Sequence, residues 1–241
     1  MNCFILAAGF GSRMGDLCKD IPKPLLTIRG FPLIHYSIYF AYRLGIRDFI
    51  INTHYKAEVL EKELEKFSFL NISISREKEI LGTGGGIRKG IKNLDPEETF
   101  LVLNPDILHI PNVTFTLPSN FPGKIFLFLK ESLAGETNTT LSLKNEKVYF
   151  SNNSGKMYTY IGLALMKAGA LQQELPEGYS DLSLYFQNLA RKDELCGGLY
   201  PGEVYDLGTK EKYELYKNLQ LPELFSEPGF QELKARLNSG L

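Results

Sequence analysis

Tryptophan is absent from this sequence, and cysteine, histidine and methionine are scarce, at three, three and four residues. Cys3, Cys18 and Cys196 show no paired metal-ligand spacing, so the expectation is free thiols in a reducing cytoplasm rather than a disulfide framework. His35, His54 and His109 lack ligand spacing as well, which argues against a zinc site. Charge of one sign is also missing, since the formal net charge is −1. Nothing in that balance suggests a general nucleic-acid or membrane-surface binder, and any bound phosphate must be held locally by a few cations and backbone amides. No apolar run approaches the ~20 residues of a membrane-spanning helix. The stretch from Phe4 to Ala8 is too short for a signal-peptide core and has no basic region ahead of it.

What is present is an ordinary globular balance, with 241 residues, 44% hydrophobic and 23% charged. That length can bury a sizeable core. Through the first half, apolar strand-like runs (Cys3 to Ala8, Asp48 to Asn52, Ile72 to Ser75, Thr99 to Leu103) alternate with helical patterns (Pro32 to Leu44, Ala57 to Phe67, and a helix through Ile91). Alternation of this kind predicts a parallel sheet with helices on both faces. In the second half, further strands are expected at Lys124 to Leu129, Met157 to Leu165, Leu195 to Tyr200 and Val204 to Tyr205. A hairpin is expected around Lys144-Asn145-Glu146, and helices at Asp181 to Ala190, Lys210 to Leu219 and Gly229 to Leu237. The predicted fold is a three-layer α/β/α domain, with a mainly parallel central sheet and added antiparallel strands in the second half. A single domain is expected, with halves meeting near residue 110 and a helical tail over residues 222–241. The tail could dock on its own domain or on a neighbouring copy, which leaves a homodimer open.

Four short segments carry chemistry. Leu6-Ala7-Ala8-Gly9-Phe10-Gly11-Ser12-Arg13-Met14 follows the first strand, and its small residues let the backbone approach a ligand. A dinucleotide fingerprint would need glycine where Met14 stands and an acid where Asn52 and Thr53 stand. A P-loop would need a Gly-Lys-Ser/Thr ending that is missing. What remains is a glycine loop bracketed by two cations, Arg13 and Lys23, the latter expected to lie extended between Pro22 and Pro24. Gly82-Thr83-Gly84-Gly85-Gly86 reads as a flexible loop before a helix. Asp106 ends the fourth strand, at the edge where such sheets bind ligands, and Asp206 precedes a C-terminal helix that either it or Thr209 could cap.

The runs Leu6 to Met14 and Pro22 to Leu25 resemble the opening signature of the sugar-1-phosphate nucleotidylyltransferases. Asn52-Thr53-His54-Tyr55 looks like an element of the short members, those similar to N-acetylmuramate-1-phosphate uridylyltransferases and mannose-1-phosphate guanylyltransferases. The resemblance implies a nucleotide-binding half (residues 1–110) and an acceptor-binding half (111–221). It implies that Leu6, Ala7, Ala8, Gly9, Gly11, Ser12 and Arg13 hold a nucleoside triphosphate. Arg13 would contact the departing pyrophosphate, and Lys23 the phosphates at the reacting centre. Gly82, Thr83 and Gly84 would face the base, with glycine leaving room for the ring. Asp106 and Asp206 would bind Mg²⁺, although Pro105 stands where the family has Gly or Ser. Asn138, Tyr160 and Gly162 would line the acceptor site, and His54 would be structural or pocket-lining. The implied partners are a nucleoside triphosphate and a phosphorylated small-molecule acceptor, in nucleotide-sugar biosynthesis. Two rivals stay open: a cytidylyltransferase acting on phosphocholine or a similar acceptor, and an inactive nucleotide-binding module.

Overall fold

The structure is a computed structural model that describes residues 1–111, 115–132, 141–150, 156–220 and 228–239. It opens with β1 (Asn2–Leu6), in which Cys3, Phe4 and Ile5 are all buried. A ribbon of β2 (Thr27–Ile28) and β3 (Phe31–Pro32) leads into α1 (Leu33–Arg43). There follow β4 (Asp48–Thr53), α2 (Ala57–Leu64), β5 (Asn71–Arg76), α3 (Gly82–Gly90) and β6 (Thr99–Leu103). β1 pairs in parallel with β4 and with β6, and β4 pairs in parallel with β5.

The second half contributes β7 (Ile107–Ile110), β8 (Ile125–Glu131), β9 (Leu141–Lys144), β10 (Lys147–Phe150), β11 (Tyr158–Lys167), α4 (Ala168–Glu174) and α5 (Leu182–Arg191). It closes with β12 (Leu195–Leu199), β13 (Glu203–Asp206), α6 (Lys210–Tyr216) and α7 (Pro228–Ser239). β11 lies antiparallel between β6 and β8 and so joins both halves into one nine-stranded sheet, ordered β5-β4-β1-β6-β11-β8-β12-β10-β9. The β9–β10 hairpin turns on Asn145 and Glu146, both at positive φ (49° and 61°), the two-residue geometry that matches strand twist.

Helices cover both faces, as expected. On one face, Ile34 and Ile38 of α1, Leu60 of α2 and Phe230 of α7 pack with Cys3, Ile5 and Ile51. On the other, Ile87 of α3, Leu171 of α4 and Leu189 of α5 pack with Phe4 and Ile50. Successive residues of β1 thus serve opposite cores, which is why its sequence is apolar throughout instead of alternating. α7 docks on α1 of its own chain. The Phe230 ring meets Tyr39 and Phe31 edge-on at 5.0 and 5.4 Å.

Several elements differ from the sequence reading. The glycine run is not a loop before a helix, because α3 starts at Gly82 and contains it. Lys23 is not extended, because Lys23–Leu25 forms a 3₁₀ turn after an extended Pro22. The fixed φ of Pro24 suits such a turn, and its missing N–H is one that a first turn leaves unpaired anyway. β7 and α4 were not anticipated. β7 is four residues long and pairs only with β13, about a hundred residues later, in a separate antiparallel ribbon.

Candidate active site

The carboxyl ends of β1, β4 and β6 lie side by side, and the loops that leave them carry most of the candidate residues. In the first loop Ala7 and Ala8 are buried, while Gly9, Ser12 and Arg13 are exposed. The Ala7 amide donates to Asn52 Oδ1 at 2.7 Å. Gly11 caps the 3₁₀ segment Ser12–Cys18 at φ 66°, and Met14 within it is fully buried. Met14, which breaks the dinucleotide pattern, is therefore the anchor of this loop. Arg13 makes no ion pair among the described residues.

Lys23 is 9% exposed. Its ammonium donates to Asp106 Oδ2 at 2.5 Å and to the Gly208 carbonyl at 2.9 Å. Asp206 accepts the Gly208 amide at 2.7 Å and forms an ion pair with Lys212. Thr209, not Asp206, caps α6 by accepting the Lys212 amide, so the Asp206 carboxylate is free of that duty. The two aspartates converge beside Gly208. A Cβ placed there would stand 2.7 Å from Asp206 Oδ1, 3.6 Å from Asp106 Oδ2 and 3.7 Å from Arg13 Nη1. The carboxylates arrive on one ribbon, since Ile107 of β7 pairs with Asp206 of β13, and the Leu207 amide donates to the Asp106 carbonyl at 2.8 Å.

Asn104, two residues before Asp106, donates its amide to the Gly162 carbonyl at 2.9 Å. Gly162 sits at φ 67° within an irregularity of the β8–β11 pairing, and a Cβ there would meet Ile107 Cδ1 at 2.6 Å. Its part is to let β11 approach the aspartate loop; it does not line the cleft itself. Tyr160 does line it, with its ring edge-on to Phe186 at 5.8 Å. Burial pushes the Tyr160 hydroxyl pKa upward, so it stays a neutral donor. Asn138 lies outside the described residues, as do Thr137 and Thr139.

The reason for glycine in α3 also needs correction. A Cβ on Gly82 would lie 2.4 Å from the Ser180 carbonyl, and the Gly84 amide donates to that same oxygen at 2.9 Å. The chain's own loop is by itself enough to set this requirement. Thr83 donates its hydroxyl to Asp181 at 2.7 Å and accepts the Leu182 amide at 3.0 Å.

Sequence reasoning missed Glu77, which is 3% exposed. Asn52 Nδ2 donates to one of its carboxylate oxygens at 2.8 Å, and the Leu81 amide to the other at 2.9 Å. Asn52 and Glu77 therefore strap the first glycine loop to the start of α3. His54 Nδ1 meets the Glu77 carbonyl at 3.0 Å, and its ring packs edge-on against Phe10 at 5.3 Å. In the sequence, nothing distinguishes Glu77 from Glu79. His109 is also buried, with Nε2 on the Ile161 carbonyl at 2.8 Å, and burial pushes its pKa down to about 4.

Two cavities meet at this point. One, of about 340 Å³, is lined by residues of the first loop, Lys23, Ile80, Gly82 and Thr83. The other, of about 730 Å³, is walled by Leu127, Phe150, Tyr160 and Phe186, with Lys130, Asp181 and Lys212 among its polar groups. Leu6, Arg13, Thr83, Asn104 and Asp106 line both. A reaction joining a molecule in each cavity would take place at Asp106.

Residues 3–117 match the protein family described as Nucleotidyl transferase. The chain is 29% identical over 158 residues to the D-glycero-alpha-D-manno-heptose 1-phosphate guanylyltransferase of Aneurinibacillus thermoaerophilus, covering 64% of this chain and 68% of that protein. It is 28% identical over 217 residues to the N-acetylmuramate alpha-1-phosphate uridylyltransferase of Neisseria meningitidis serogroup B, covering 87% and 94%. Its fold matches that of a UDP-glucose pyrophosphorylase solved with UDP-glucose, with a TM-score of 0.71 at 20% identity over 90% of this chain and 96% of the other.

Proposed function

We propose that this chain, whose residues 3–117 match the nucleotidyl transferase family, transfers a nucleoside monophosphate from a triphosphate to a sugar 1-phosphate, giving a nucleotide-sugar and pyrophosphate. The observation that carries this reading is the meeting of two cavities at Asp106, with Lys23 and Arg13 beside it. The smaller cavity takes the nucleotide and the larger takes the acceptor. Both relatives named above act on sugar 1-phosphates by name.

An oxygen of the acceptor phosphate attacks the α-phosphorus in line, the bond from that phosphorus to the bridging oxygen of the β-phosphate breaks, and pyrophosphate leaves. The attacking phosphate is already ionised, so no general base is required. Catalysis is then mostly positioning and charge stabilisation. The amides of the first loop and the Arg13 guanidinium face the β- and γ-phosphates. Lys23, held by Asp106 and the Gly208 carbonyl, presents its ammonium to the α-phosphate. Asp106 and Asp206 suit a divalent cation such as Mg²⁺. They offer hard carboxylate oxygens around a cradle that a side chain at position 208 would fill. When bound, that ion neutralises charge at the α-phosphate. Tyr160 and Asp181 present polar groups to the sugar. The three buried free thiols suit a reducing cytoplasm.

Phosphocholine is a second acceptor reading, favoured by the aromatic rings of Phe150, Tyr160 and Phe186 in the acceptor cleft, which suit a quaternary ammonium. Pyrophosphate release across a matrix of five triphosphates with several sugar 1-phosphates and phosphocholine tests both. Turnover with sugar 1-phosphates is expected. Turnover with phosphocholine alone would select the second reading. Nucleotide binding with no release on any acceptor would leave a binding module and no enzyme.

A further inference from the structure

Each candidate metal carboxylate carries a lysine, and the two pairs are unlike. The side chains of Lys23 and Asp106 are 11% and 18% exposed, and Lys23 has a second acceptor in the Gly208 carbonyl. The side chains of Lys212 and Asp206 are each 40% exposed, and among the described residues Asp206 is the acceptor of the Lys212 ammonium. Lys23 is therefore fixed, whereas Lys212 is a cation on a flexible stem at the wall of the acceptor cavity. Helix stability does not explain it, since a cation in the first turn of α6 faces the helix end that favours anions.

We propose that Lys212 is an exchangeable counter-ion. It neutralises Asp206 in the cation-free protein and turns to the phosphate of the acceptor when a divalent cation takes Asp206. The inference rests on the nucleotidyltransferase reading. It adds a substrate-binding residue in the acceptor cavity and a link between cation binding and acceptor binding. Both oxygens of Asp206 are engaged, Oδ1 by the Gly208 amide and Oδ2 by Lys212, so a divalent cation competes with the lysine there, whereas Lys23 holds Oδ2 of Asp106 and leaves Oδ1 to a cation. The acceptor's phosphate, which must reach Asp106 through the cavity that Lys212 lines, is then an anion open to it. The exchange adds no net charge to the protein and breaks no buried contact.

The test uses the full chain with Lys212→Met, which keeps the length of the stem and removes the charge. Mn²⁺ binding is measured without substrates, by the electron paramagnetic resonance signal of the free ion, and KM is measured for each substrate. The variant should bind Mn²⁺ about two- to fivefold more tightly, the range that relief from an exposed ion pair can supply. Its KM for the sugar 1-phosphate should rise about tenfold, as for the loss of one charge-assisted hydrogen bond. Its KM for the triphosphate should stay within about twofold on the same reasoning. Lys212→Arg should restore the acceptor KM. Unchanged or weaker Mn²⁺ binding in Lys212→Met, or a loss borne by the triphosphate, overturns the exchange while leaving turnover by the wild-type chain to support the parent reading. If neither protein binds Mn²⁺, the metal assignment of Asp106 and Asp206 falls, and the exchange with it.

Discussion

The two cavities of this cleft, assigned above to nucleotide and acceptor, are built by different means. On the nucleotide side, buried polar side chains hold the backbone: Asn52 accepts the Ala7 amide, Glu77 accepts the Leu81 amide, and Lys23 donates to the Gly208 carbonyl. On the acceptor side, Leu127, Leu141, Phe150, Ile161 and Phe186 form apolar walls, and the polar groups stand at the rim or are paired with one another. A triphosphate is the same in every nucleotide, so a fixed backbone cradle can serve it. An acceptor is defined by its shape, and apolar walls can be re-cut by substitution without leaving buried polar groups unpaired. The two sides meet at Asp106, which belongs to both cavities.

Four changes would break or sharpen this contrast. The largest effect is expected at the junction. Asp106→Asn keeps the shape of the side chain and removes its charge, and should lower pyrophosphate release at least about a thousandfold while the melting curve by circular dichroism stays cooperative. Retained turnover would remove Asp106 from the reaction.

Next comes His109, which lies behind the junction. Its pKa in the folded chain is about 4, below its ordinary 6.5. The unfolded chain therefore binds a proton that the folded chain refuses between those two values. Stability is fully present above pH 6.5 and is lost as pH falls toward 4, by about 3 kcal/mol when complete. The urea midpoint should drop between pH 7 and pH 5, and His109→Gln should flatten the drop. An equal slope in the variant would place the titrating group elsewhere.

The strap on the nucleotide side is third. Glu77→Ala leaves the Asn52 amide and the Leu81 N–H without a partner, at about 2 to 4 kcal/mol together. The triphosphate KM should rise and the acceptor KM should not. A shift in both would mean that the strap supports the whole cleft. The smallest effect on stability is expected at Gly9, where an added Cβ meets nothing within 4 Å. Gly9→Ala should move the urea midpoint by less than about 0.5 kcal/mol while weakening nucleotide binding. If nucleotide binding is unchanged, the loop contacts the triphosphate elsewhere.

Much of the site was legible because its signals are local. The first loop shows itself by consecutive small residues after an apolar strand, and Arg13 and Lys23 by their places around it. Asp106 shows itself by following a strand at the sheet edge where ligands bind, and Asp206 by standing before a C-terminal helix. Less was legible in the connections. The glycines at 82 and 84 look alike whether a base or the chain's own Ser180 lies against them, because only the fold brings residue 180 there. The same holds for Gly162, whose positive φ serves Asn104, just past the end of another strand.

The sequence by itself determined the alternation of strand and helix, the apolar strands of a sheet covered on both faces, and the kinds of residue available to hold phosphates. These follow from periodicity and residue chemistry, which neighbouring residues set. The tertiary structure alone decided that Lys23 pairs with Asp106 and Lys212 with Asp206, that Glu77 turns inward while Glu79 does not, and that two cavities share Asp106. The contacts of Lys212 with Asp206 and of Glu77 with Leu81 are local, whereas Lys23 with Asp106 and Asn52 with Glu77 join residues 83 and 25 apart in the chain. Such pairs form only when the sheet has fixed its strand order, and no local pattern encodes that order.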